Sequence, residues 1–228
     1  MKTVADAVSR RLMIPVGSDE FLGSLSSPGQ AASLVLLAQG SGGGRYASQD
    51  ACVAQALREA GIATLVFSLL TPHEAALEFV AREHRLDLRL LAKRLVDVTD
   101  WLRNGREFRD ASIGYCTAGT GSAAALIAAA ELGRHVAAVV SRGGRPDLAG
   151  EALARVEAPT LLIVAGNDRT VTELNELAST RLCATKQVAL VAGASHSFAE
   201  PGALTQAAAL TSQWFTHHLA AAQRPAWS

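Results

Sequence analysis

The chain has 228 residues, 49% hydrophobic and 18% charged, which supplies enough apolar material for a sizeable core and excludes a disordered chain. Lys plus Arg total 21 and Asp plus Glu total 21, so the basic excess that a nucleic-acid partner demands is missing. No apolar run approaches the roughly 18 residues of a membrane span, and the stretch from Met1 to Val16 lacks the apolar region of a signal peptide.

In chain order, two β-like stretches come first, Ala7 to Val16 and Glu20 to Ser26. Val16-Gly17-Ser18-Asp19 between them is turn chemistry and predicts a hairpin. After Pro28-Gly29 the pattern changes to a continuous apolar run, Ser33 to Ala38, followed by Gln39-Gly-Ser-Gly-Gly-Gly44. Runs that are apolar on both faces mark strands buried between helix layers. Tyr46 to Ala60 is a predicted helix stopped by Gly61, and Ile62 to Phe67 the next strand. Leu86 to Leu102 is a long amphipathic helix, with Leu88, Leu91, Leu95 and Val98 at helical spacing. Ala111 to Cys116 is predicted as a strand, followed by a small-residue turn and an Ala-rich helix ending at Leu132-Gly133. Three further strands are expected at Val136–Ser141, Thr160–Ala165 and Gln187–Val191. Helices are expected from Val171 to Cys183 and from Ala203 to Leu219. No linker, charge block or repeat divides the chain, so one domain over 1–228 is expected. Alternating β and α elements after a hairpin imply an α/β fold, a mostly parallel sheet with helices on both faces.

In such sheets the working groups lie on loops beyond the carboxyl ends of the strands. Asp168 follows the strand 160–165, and His196 follows the strand 187–191. An acid and then a histidine on successive strand ends suits an imidazole oriented by a carboxylate. Each has a plainer reading, Asp168 as the cap of the next helix and His196 as one of six histidines. The turn after strand 111–116 is the place for a nucleophile, and two registers fit. In the first, Cys116 is the tip, flanked by Gly114, Ala118 and Gly119, and its thiol would be activated by His196 and by the following helix. In the second, the tip is Gly119 within Thr117-Ala-Gly-Thr-Gly121, which lengthens the strand and provides no reacting side chain.

From about Leu34 to Leu219 the chain resembles the dienelactone hydrolase family of α/β-hydrolases. Gly114-Tyr-Cys116 matches the Gly-Tyr-Cys signature of members whose nucleophile is a cysteine. Four other stretches resemble a serine-bearing branch: Gly40-Ser-Gly-x-x-Arg-Tyr46, Ser141-Arg-Gly-Gly-Arg-Pro-Asp-Leu148, Ala158-Pro-Thr-Leu-Leu-Ile-Val164 and His196-x-Phe-x-Glu-Pro-Gly-Ala-Leu204. In that branch the elbow serine falls on Gly119, and a histidine stands where this chain has Gln39. The expected fold is an α/β-hydrolase sheet of about eight strands, without an inserted lid domain because no connection is long enough to hold one.

Two functions follow as expectations. The first is a hydrolase of small esters or lactones in which Cys116 attacks, His196 shuttles the proton and Asp168 orients it. The second is a homologue without a nucleophile, using His196–Asp168 as a general base, binding a ligand, or being an inactivated serine hydrolase. Expected oxyanion donors are the N–H groups of Ser41 and Gly42 with that of Thr117 or Thr120, depending on the register. Gln39, Arg45, Arg142 and Arg145 are candidate substrate contacts, the last two for a carboxylate. No cofactor is expected, because neither a dinucleotide nor a P-loop pattern fits, and His217-His218 lacks a second ligand cluster for a metal. Cys52, Cys116 and Cys183 form no CxxC pair, which points to reduced thiols in the cytoplasm. The expected partner is a small molecule; homodimerisation is left open.

Overall fold

The computed structural model describes residues 8–17, 19–29, 31–40, 43–81 and 87–222. Its eight strands are β1 (Val8–Val16), β2 (Asp19–Ser27), β3 (Ser33–Gln39), β4 (Ala63–Ser68), β5 (Ser112–Ala118), β6 (Ala138–Arg142), β7 (Thr160–Ala165) and β8 (Lys186–Val191). They form one sheet in the order β1-β2-β4-β3-β5-β6-β7-β8. The predicted hairpin pairs β1 with β2, and β2 joins β4 antiparallel; every later pairing is parallel.

Among the described residues six α-helices flank the sheet: α1 (Gly43–Glu59), α2 (Pro72–Ala81), α3 (Leu88–Asn104), α4 (Gly121–Leu132), α5 (Arg169–Arg181) and α6 (Ala203–Ala222). The sequence reading did not anticipate α2. The alternation of β3 shows how the two layers arise. Leu34 and Leu36 enter one core with Leu91 and Leu95 of α3 and the alanines of α4, while Val35 and Leu37 enter the other with Phe215 of α6. Asp87 caps α3 by accepting from the N–H groups of Arg89 and Leu90, a cap that contributes about 1 kcal/mol. Gly114 is required by packing: a Cβ there would lie 2.5 Å from Cε1 of the buried Phe215 ring of α6, which would have to move.

The helix layers dictate where chemistry can occur. Because β3, β5, β6, β7 and β8 run parallel, the loops after them all emerge at one edge.

Candidate active site

β5 continues to Ala118, two residues beyond the predicted end, held by the pairs Thr117–Ser141 and Ala118–Arg142 with β6. Gly119 then turns the chain at φ +56°, and α4 begins at Gly121. A single left-handed residue between a central strand and a helix is the sharp turn on which a hydrolase presents its nucleophile. Here that residue is glycine, so the second of the two registers is the one realised. The tip is fixed from β6, since the N–H of Arg145 donates to the carbonyl of Gly119 at 3.0 Å. The loop after β3 presses on the same turn: a Cβ on Gly40 would lie 3.1 Å from the backbone nitrogen of Gly121.

This register corrects the assignment of Cys116 as nucleophile. Cys116 lies inside β5, 1% exposed, among the side chains packed under α1 and α6. Burial pushes its thiol up to about 12, so it stays protonated at neutral pH and has no thiolate to attack with. No hydrogen bond joins it to His196. Thr117 is likewise a buried strand residue, whose hydroxyl meets that of Ser122, which leaves Thr120 as the residue following the tip. Ser122 is fully buried and offers no substitute nucleophile.

Asp168 and His196 do come together. Nδ1–H of His196 donates to Oδ2 of Asp168 at 2.8 Å, and the imidazole side chain is 46% exposed. Asp168 also accepts from the N–H of Val171 as the cap of α5, so its capping and its pairing coexist, one oxygen for each. The loops carrying them are clipped to each other. The N–H of Asn167 donates to the carbonyl of Ala194 at 2.9 Å, and the Asn167 amide to that of Gly193 at 2.8 Å. Glu200 accepts from the N–H of Ser195, and that donor holds the Glu200 carboxyl below the usual carboxylate range.

The arginines are placed differently from expectation. Arg142 is fully buried, and its Nη2 donates to Oδ1 of Asp50 on α1 at 2.5 Å. The other oxygen of Asp50 accepts from the Gln39 amide at 2.8 Å. Asp50 therefore bridges the ends of β3 and β6, the two strands beside β5, on the face from which Cys116 projects. Arg142 is thereby withdrawn from solvent, while Gln39, half-buried, turns its amide onto Asp50. Arg145 turns its Nε and Nη2 onto both oxygens of Asp147 at 2.8 Å, occupying the edge that would grip a substrate carboxylate. Ser41 and Gly42 lie outside the described residues, as does the side chain of Arg45. The sequence reading missed Gln49 and Asp50, buried on α1, and Asn167, whose exposed amide clips the two loops together; Glu200 stood within a quoted motif without a role.

A profile of the dienelactone hydrolase family matches residues 41–227. The crystal structure of dienelactone hydrolase from Anabaena variabilis ATCC 29413 superimposes with a TM-score of 0.89 and 46% identity, over 93% of this chain and 99% of that one. The chain belongs to the dienelactone hydrolase family. Two Mycobacterium tuberculosis proteins that carry the provisional name phosphoribosyl transferase are 45% identical over 208 residues, 91% of this chain and 46% of theirs. This chain thus spans about half the length of those curated relatives. Est1E from Butyrivibrio proteoclasticus shares 13% identity at a TM-score of 0.76, over 92% of this chain and 99% of that one, a likeness of fold. Within this fold Gly119 forms the turn after β5, and Asp168 and His196 meet on the loops after β7 and β8.

Proposed function

We propose that this protein hydrolyses a small ester or lactone without an acyl-enzyme intermediate, with His196 and Asp168 acting as a general base on water. The observation that carries the reading is Gly119 at φ +56° on the elbow, in a fold that keeps the 2.8 Å His196–Asp168 pair. A water beside the imidazole gives a proton to Nε2 as its oxygen bonds to the substrate carbonyl carbon. Asp168 holds the Nδ1–H tautomer and stabilises the imidazolium. The tetrahedral intermediate then expels the alkoxide, which takes the proton back from Nε2. An acid and an alcohol leave, or one hydroxy acid when the substrate is a lactone. The N–H of Thr120 is the donor for the developing oxyanion in this scheme.

The transferase name of the mycobacterial relatives is said of proteins of which the matched part is 46%, so the hydrolase reading is the one these residues support. Three free thiols, with Cys116 buried, are in keeping with a cytoplasmic location.

The test is turnover of a panel of p-nitrophenyl esters and small lactones, combined with mass spectrometry of the protein during turnover. His196→Ala is expected to lose about a hundredfold or more in kcat, while Cys116→Ser stays within about twofold of wild type. No acyl adduct should accumulate. An acyl group mapped to Cys116, or turnover indifferent to His196, overturns the proposal. No turnover of any panel member replaces it with the ligand-binding reading that Gly119 also supports.

A further inference from the structure

The loop from Ala192 to Gly202 carries His196 between β8 and α6. Its first half is tied to the end of β7 through Asn167. Its second half is held from α1, the helix on the far side of the elbow strand. Nε2 of Gln49 donates to the carbonyl of Ser197 at 2.8 Å, across 148 residues of chain. Gln49 is 7% exposed, so the donor side of this part-buried bond is shielded from water. The next residue of the loop, Phe198, is the one described non-glycine residue with positive φ, at 51°. Its ring lies against Gly143, where a Cβ would be 3.2 Å from Cε2. A bulky residue in the left-handed region is strained and persists only where its surroundings over-determine it.

Gln49 is adjacent to Asp50, which is bonded to Gln39 and Arg142 on the two strands flanking β5. One turn of α1 is therefore registered against both neighbours of the elbow strand and, through Gln49, against the loop bearing the imidazole.

We infer that Gln49 is a positioning residue for His196: its amide sets where the imidazole sits relative to the Gly119 turn, with Asp50–Arg142–Gln39 as the fixed reference. That the imidazole so positioned is a catalytic base rests on the general-base reading above. The positioning itself rests on the Ser197 hydrogen bond and the strained Phe198.

The experiment uses Gln49→Met, which keeps the length and removes the donor, and Gln49→Glu, which keeps the shape and sets an acceptor against the Ser197 carbonyl. Gln55→Ala, on an exposed stretch of the same helix, is the control. Three readouts need no turnover: the low-field proton resonance of the Nδ1–H shared with Asp168, site-resolved carbethoxylation of His196, and deuterium uptake across 193–200. In both Gln49 variants the resonance should broaden or vanish, and carbethoxylation and uptake should quicken about threefold or more, with Gln55→Ala matching wild type. Where turnover is measurable, kcat should fall about tenfold with KM little changed. Wild-type values of the resonance and of carbethoxylation in Gln49→Met overturn the proposal. Should that variant unfold, native-state hydrogen exchange of the wild-type protein decides. The amides of Ser195 and Phe198 must open together with those of α1 around Gln49, and independent opening overturns it. A wild-type protein without hydrolase activity removes the general base and leaves these readouts in force. Unchanged readouts beside His196-dependent turnover remove Gln49 alone.

Discussion

At Gly119 a missing side chain and a demanding backbone meet. With φ at +56°, a serine there would carry the left-handed penalty of about 1–2 kcal/mol that glycine escapes. Gly119→Ser should therefore lower stability in a denaturant titration by about that amount. It should also place a hydroxyl at the tip of the turn and, on the general-base proposal, convert a one-step water reaction into a two-step one. A burst of p-nitrophenol equal to the enzyme concentration, with the acyl group mapped to residue 119, is the expected sign. Cys116 gives the complementary prediction. Held up to about 12 by burial, its thiol should resist iodoacetamide in the folded protein near pH 7 while exposed Cys183 reacts; in denaturant the two should label alike. Labelling of native Cys116 ahead of Cys183 would show that the core around β5 opens far more readily than its packing implies.

Among the elements, α2 shows a signal that was present in the sequence and went unread. Thr71-Pro-His-Glu74 is a capping box with proline at the first helical position. The hydroxyl of Thr71 accepts from the N–H of Glu74, and Glu74 Oε2 accepts from the N–H of Thr71. Glu74 also accepts two hydrogen bonds from Arg94 of α3, at 2.7 and 2.9 Å, and the guanidinium sits 5.3 Å from the centre of the Phe21 ring. Arg94 holds the Glu74 carboxyl down at about 2. Since the folded value is depressed, the pair's contribution is complete above the ordinary range near 4.5 and is lost as pH falls towards 2. Glu74→Gln should melt below wild type at neutral pH, and the gap should close on acidification; a gap that widens in acid would reverse the assignment. The apolar runs of β3 and β7 were legible because both faces of each strand are buried. The end of β5 was not. Ile113 is its one aliphatic residue, and its last two positions are held by pairing with β6, which local spacing does not encode. Gln49 and Asp50 were illegible for the same reason, with partners 148 and 92 residues away.

For the molecule as a whole, a net charge of zero is matched by local neutrality at the functional edge, where Asp50 answers Arg142 and Asp147 answers Arg145. The expected selectivity therefore differs from the one the arginine-rich loop suggests on paper. Arg145→Met should change KM for acidic and for neutral esters by the same factor, within about twofold, and a selective loss on acidic esters would show that Arg145 leaves Asp147 to bind them. The 148-residue span between Gln49 and Ser197 also has a consequence in time. Strands β1 to β6 are complete by Arg142, so the elbow turn has all its strand neighbours while the histidine loop is still unmade. Closing that last long-range contact comes after the strands it bridges, because loop-closure entropy is met before distant contacts repay it. On a nascent chain, which is made from its N-terminus, α1 and the Gly119 turn therefore exist before the loop that carries His196, and the Gln49–Ser197 contact is among the last to become available.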